Sequence, residues 1–181
     1  MNVMPMNMFL SEENIKRHLE HLRTYRLRYS ILEKSFPDIK GKDIAGIVRM
    51  KIKREIKDEA LSLLWYIKSH ECFFDSFTDR QQKGGKLTKH YSSREKFLYD
   101  LFVEAKEREY GFLFVYLDKY GIPRCRFSTA TDGAFINYEP ILAVDLYEHA
   151  YFNDYGFNRD RYLRSALEYL DLERLNSDIS S

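Results

Sequence analysis

Residues 111–130, GFLFVYLDKYGIPRCRFSTA, decide the fold class. Two runs rich in aromatic and β-branched residues, 111–117 and 122–129, flank the turn Asp118-Lys119-Tyr120-Gly121, which reads as an antiparallel hairpin. A third short strand, 141–145, follows Pro140. On either side the apolar period is helical. Upstream, Ile15, Leu19, Leu22, Tyr29 and Leu32 define a long helix over 11–36, capped by Ser11 and ended by Pro37 and Gly41. A second helix over 44–77 runs through Ile52, Ile56, Ala60, Leu63, Ile67 and Phe74. A third, in SSREKFLYDLFVEAKEREY (92–110), carries Phe97, Leu101 and Ala105. Helical spacing resumes from Tyr147, with Tyr162, Leu163, Ala166, Leu167 and Leu170 as one buried stripe.

The polar stretch TDRQQKGGKLTKH (78–90) has no periodicity and a Gly84–Gly85 pair, so it reads as a boundary. The expectation is an α+β chain. It consists of an N-terminal α-hairpin domain (1–77), a linker (78–91), and a C-terminal domain (92–181) with a three-stranded antiparallel sheet flanked by helices.

Composition removes several function classes. With 29 Lys+Arg against 28 Asp+Glu in 181 residues, the net charge is +1 and no single-sign field marks a nucleic-acid or anionic-membrane binder. The longest apolar run, 111–117, is far short of the ~20 residues a spanning helix needs. The start MNVMPMNMFL lacks a basic segment, so no secretory signal is expected. Cys72 and Cys125 have neither metal-finger nor redox spacing, which suits a reducing cytoplasm.

Histidine placement is more informative than composition. His18 shares a helix face with Ile15, Leu22, Tyr25 and Tyr29, and His70 lies on the stripe of Leu63, Ile67 and Phe74. Asp145 and His149, in AVDLYEHAY (143–151), sit four apart where the last strand meets a helix, a spacing that lets them converge. Three imidazoles and one carboxylate suit a first-row transition ion without any thiolate.

At these residues the chain resembles the iron/manganese superoxide dismutases. ILAVDLYEHAYFNDYGFNRDRYL (141–163) is similar to that family's D-x-W-E-H-A-Y signature, with Tyr147 in place of Trp. LSEENIKRHLEHLRTY (10–25) is similar to its first helix, SHECFFDSF (69–77) to its N-H-x-F-x-W segment, and residues 110–133 to its hairpin, with Phe112 and Phe114 where tryptophans usually stand. The resemblance implies His18, His70, Asp145 and His149 as ligands of one Fe or Mn ion per chain, with superoxide as substrate. It implies His21 and Tyr25 as a proton-relay histidine and a gateway tyrosine, and Arg159 as the arginine of an anion-attracting funnel. Glu148 matches the glutamate that reaches a ligand histidine across a homodimer interface.

The chain also departs from the family pattern. Where the family sets a glutamine against metal-bound solvent, Tyr66 and Asp132 stand at the two matching places. A tyrosine hydroxyl donates a hydrogen bond as an amide does, whereas an ionised aspartate only accepts. His18 and His21 are one residue closer than usual, and Phe152 replaces a tyrosine that bonds across the dimer. Two other readings remain open at this point: a non-enzymatic scaffold of the same fold, and a metal-dependent redox enzyme with a different substrate.

Overall fold

The structure is a computed structural model, and it describes residues 4–80, 85–129 and 135–179. The described residues form seven α-helices and one three-stranded sheet. Helix α1 spans Glu12–Ser35, unbroken through His18 and His21. Ser11 caps it by accepting from the Asn14 N–H, and Glu12 and Glu13 in the first turn complement the helix dipole. The chain turns through a 3₁₀ segment, Pro37–Ile39. Gly41 follows at φ +68°, a conformation that glycine adopts without strain.

The second helix is not continuous as the apolar period suggested. It is split into α2 (Ile44–Arg49) and α3 (Arg54–Phe74). Met50 and Lys53 adopt extended backbone between them. The local charge explains the break, because a straight helix would stack Arg49, Lys53 and Lys57 at four-residue intervals, where like charges repel. In the broken form Lys57 turns back and donates to the Val48 carbonyl at 3.0 Å, near the end of α2. The Ile44 and Ile47 face is free to rotate into the core, where both are buried.

The stretch read as a linker carries an anchor. Within the 3₁₀ turn Gly85–Lys89, Leu87 is fully buried and its N–H donates to Asn176 Oδ1 at 2.8 Å. Residues 81–84 lie outside the described residues. Helix α4 (Arg94–Lys106) follows, capped by Ser93.

Strands β1 (Phe112–Leu117), β2 (Pro123–Ser128) and β3 (Leu142–Asp145) form an antiparallel sheet in the order β2-β1-β3. The hairpin register runs from Phe112 opposite Ser128 to Leu117 opposite Pro123. Its turn is closed by Asp118, whose Oδ1 accepts from the N–H groups of Tyr120 (2.9 Å) and Ile122 (3.0 Å). Residues 112–115 of β1 are all buried because the central strand is covered on both faces. Phe112 and Phe114 meet Trp65 of α3 edge-on.

The C-terminal helical stretch is three helices rather than one: α5 (Glu148–Tyr155), α6 (Arg159–Glu168) and α7 (Leu172–Asp178). Gly156, at φ +53°, ends the first of them. The stripe read from the sequence is buried at all five positions. The two halves of the chain share one core. Thr78 N–H donates to the Tyr169 carbonyl (2.9 Å) and Asp171 N–H to the Ser76 carbonyl (2.8 Å), while Ser76 Oγ accepts from Ala143 N–H at 2.7 Å, tying the end of α3 to β3. No helix of the described residues is long and apolar enough to cross a membrane.

Candidate metal centre

Four elements converge behind the sheet. His18 comes from the middle of α1, His70 from the last turn of α3, Asp145 from the end of β3 and His149 from the first turn of α5. One ligand-type atom from each lies within 4.8 Å of all the others. Asp145 Oδ2 is 3.1 Å from His18 Nε2, 3.2 Å from His149 Nε2 and 3.8 Å from His70 Nε2. His70 Nε2 and His149 Nε2 are 3.4 Å apart. The side chains of His18, His70 and Asp145 are inaccessible to solvent, whereas that of His149 is 32% exposed and marks the open side.

Each member is held from behind. His18 packs against Phe73 and Phe74. Asn14, one turn earlier, donates to the Ala150 carbonyl at 3.2 Å and to Asp154 at 3.0 Å, clasping α1 to α5. Asp145 is fixed at two further points: its Oδ1 accepts from Tyr147 N–H at 2.8 Å, and its main-chain carbonyl accepts from the Tyr162 hydroxyl at 2.7 Å. Tyr162 was legible only as part of the buried stripe. A fully buried tyrosine needs a partner for its hydroxyl, which is the signal that would have drawn it towards a site.

Protonation follows from burial and proximity. Burial raises the Asp145 pKa, but the His149 charge and the hydrogen bonds from His149 and His18 outweigh it and hold the carboxyl well below the usual range. Burial lowers His18, and it lowers His70 to about 3. His149 moves the other way, because the Asp145 charge outweighs its own burial. The resting quartet therefore contains a carboxylate, two neutral imidazoles and a third imidazole that holds a proton readily.

The tautomer of His70 tests whether these residues fit an ion. His70 Nδ1 lies 2.7 Å from the Tyr66 carbonyl, which can only accept, so the proton is on Nδ1. A neutral His70 then turns the lone pair of Nε2 towards His149 Nε2 (3.4 Å) and the Asp145 carboxylate (3.8 Å), in a pocket where the His70 and Asp145 side chains are closed to solvent. A cation placed among these groups would be ligated by all of them. The spacing of the donors also matches ligand bonds of about 2 Å, and the carbonyl behind His70 is the kind of partner that orients a ligating imidazole. The residues fit a first-row ion.

Above the quartet stands a collar of five rings. His21 lies against Tyr25 (4.7 Å between centroids), Tyr25 is parallel to Tyr66 (4.7 Å, 6°), Tyr66 approaches Tyr147 (6.4 Å), Tyr147 stacks with His149 (5.6 Å, 19°), and His149 returns to His21 (4.4 Å). His21, Tyr25, Tyr66 and Tyr147 are all half-buried. Burial and the nearby imidazoles lower His21 to about 4, and burial with the neighbouring Tyr66 and Asp145 raises Tyr25 to about 12.

The remaining candidates lie elsewhere. Glu148 is exposed at the first turn of α5. The Arg159 guanidinium donates to the Ala105 carbonyl at 3.3 Å, where it complements the C-terminal end of α4. Asp132 lies outside the described residues. His90 is exposed, and both cysteines are free thiols.

Residues 80–178 match the model of the iron/manganese superoxide dismutases, C-terminal domain, which covers more than half of the chain. The chain belongs to the iron/manganese superoxide dismutase family. Asp145 and His149 lie inside the matched segment, and His18 and His70 come from the helices before it. Family membership implies iron or manganese, and the donor set agrees. None of the curated proteins compared matches the chain.

Proposed function

We propose that the protein is a superoxide dismutase, converting two superoxide ions and two protons into dioxygen and hydrogen peroxide at one iron or manganese ion per chain. The observation that carries this reading is the convergence of His18, His70, Asp145 and His149 behind a single half-open face. When bound, the ion supplies a one-electron couple that oxidises one superoxide and reduces a second. The protein's task is to hold the ligands, admit a small anion and keep protons ready.

Asp145 contributes the one negative charge of the quartet, which favours the higher oxidation state. Tyr25 keeps its proton at neutral pH, since burial and the surrounding charge hold its pKa near 12. It is a proton donor of the collar rather than a phenolate. His21, edge-on to it, is neutral and can accept a proton from solvent and return it. Tyr66 takes the place of the family's glutamine as hydrogen-bond donor; Asp132, the other residue matched to that glutamine, only accepts when ionised. Arg159, which caps the end of α4, is assigned the family arginine's part of attracting the anion. Glu148, exposed beside His149, is the residue through which a second copy would reach the centre in a homodimer. The free thiols and the donor set suit a cytoplasmic enzyme.

The test is superoxide dismutation by the purified protein, loaded separately with manganese and with iron, with metal content determined on the same samples. Activity at near one ion per chain supports the reading. Bound ion without dismutation points to redox chemistry on another substrate, a reading favoured by the tyrosine in place of glutamine. Absence of bound ion in both preparations overturns the site and leaves a scaffold.

A further inference from the structure

A cleft lies between α4 and α6, two helices that supply none of the four converging ligand-type residues. Its volume is about 410 Å³, within the range of small-molecule sites. Three apolar side chains line it: Phe102 and Leu167 are buried and Leu98 is half-buried. Two guanidiniums and two carboxylates line it as well, so their charges sum to zero.

These four charges are not equally engaged. Arg94 is used within the fold, donating to the Glu168 carbonyl at 3.1 Å and facing the Glu95 carboxylate at 3.8 Å. Arg164 and Glu168 stand one turn apart on α6, a spacing at which opposite charges meet. The same order, cation first, closes into an ion pair at Arg54–Asp58 (3.3 Å) and at Lys96–Asp100. On α6 it stays open. The Arg164 guanidinium lies instead over the Phe102 ring, 4.2 Å from its centroid. That contact uses the face of the guanidinium and leaves its N–H fork, which lies in the plane, free to donate. Among the described residues, neither that fork nor the Glu168 carboxylate has a hydrogen-bond or ion-pair partner.

A ligand that carries both charges satisfies both residues. A carboxylate takes the guanidinium, an ammonium takes Glu168, and an apolar group covers Leu98, Phe102 and Leu167. Arg164 and Glu168 are four residues apart, about 6 Å along the helix axis. The ammonium and the carboxylate of the ligand must therefore be close together, as they are on one α-carbon, and not at the two ends of a peptide. We propose that the cleft between α4 and α6 binds a free α-amino acid with an aromatic or branched apolar side chain, Arg164 holding its carboxylate and Glu168 its ammonium.

The test is isothermal titration calorimetry of the purified full chain with L-phenylalanine, L-tryptophan and L-leucine. At least one should bind saturably, near one per chain, with a dissociation constant in the millimolar range or below. L-Alanine, which lacks the apolar side chain, should not saturate over the same concentrations. For the amino acid bound tightest, the analogues without its ammonium or without its carboxylate should each bind at least about tenfold more weakly, the range of one charge-assisted hydrogen bond. For phenylalanine these analogues are 3-phenylpropionate and phenethylamine. Arg164→Gln and Glu168→Gln should each weaken the amino acid by a similar factor. Arg164→Gln should leave the carboxylate-free analogue unaffected, and Glu168→Gln the ammonium-free one. Arg161→Gln removes a second exposed cation of α6 that does not line the cleft, and this control should bind as the unaltered protein does.

Absence of saturable binding by all three amino acids overturns the proposal. So does an analogue that binds as tightly as its parent, since the group it lacks is then not recognised. Binding that survives both Arg164→Gln and Glu168→Gln puts the ligand outside the cleft. A loss in Arg161→Gln equal to that in Arg164→Gln makes the effect one of overall charge.

Discussion

The ligand quartet and the collar above it are neighbours built on different principles. His18, His70 and Asp145 are inaccessible to solvent and sit on regular secondary structure, each braced by main-chain groups or packed rings. The collar is half-exposed and is held by ring against ring. The first cannot change without leaving an unpaired buried charge or an empty pocket, whereas the second can exchange one aromatic for another and keep its contacts. Two of the chain's departures from its family, Tyr66 and Tyr147, lie in the collar. The lesson is that ligand identity and anion chemistry are separable here, and substitution can break each alone.

The largest effect is expected from Asp145→Asn. With the one negative charge gone, the protein should lose stoichiometric metal and the rise in thermal midpoint that metal gives, both measured by elemental analysis and calorimetry on the same sample. Retention of one ion per chain would remove Asp145 from the ligand set.

Next comes acid sensitivity of the metal-free protein. His18 and His70 are lowered in the folded state, so the unfolded chain binds more protons below its ordinary histidine value of about 6.5. Stability should therefore fall as pH drops from about 6.5 towards the folded value of His70, about 3, by on the order of a few kcal/mol. Asp145 adds to the loss at the acid end of this window. His149, raised in the folded state, works in the opposite sense, contributing stability below its unfolded value that is lost as pH rises through its folded one. Denaturant unfolding at a series of pH values measures the balance, and a flat profile would contradict the buried, neutral imidazoles.

A smaller change, confined to the collar, is expected from Tyr66→Phe. Metal content should stay at that of the unaltered protein while the pH dependence of turnover, or the preference between iron and manganese, shifts. If neither moves, Tyr66 is not the replacement for the glutamine. The smallest effect is that of Arg159→Ala. Loss of a cation at the end of α4 should cost under about 1 kcal/mol of stability, and turnover should fall at low salt but hardly at high salt. Equal loss at both ionic strengths would make Arg159 a purely structural cap.

Much of this was legible in the sequence because the relevant signals are local. The hairpin 111–129 was marked by two runs of β-forming residues around a turn, and the stripe from Tyr162 to Leu170 by helical spacing. His18 and His70 were marked by the apolar residues sharing their faces. The break between α2 and α3 was missed because apolar spacing continues through Ile52, whereas the repulsion of Arg49, Lys53 and Lys57 that opposes a helix is a property of charge. Leu87 was missed as a lone apolar residue in a polar run, without a period to reveal it. The collar was only half visible: Tyr25 and Tyr66 stood out by resemblance, but the closure of the ring through Tyr147 depends on how a strand end and two helices cross.

The four ligands also have an order in time. His18 and Asp145 are in contact but 127 residues apart along the chain. Closing a loop of that length costs on the order of 4 kcal/mol of chain entropy, and no local structure can pre-assemble the pair. A chain emerging from the ribosome presents two imidazoles long before the strand and helix that complete the set. Metal acquisition is therefore a late event that follows docking of the two halves, and a bound ion would act as the latch that keeps them together.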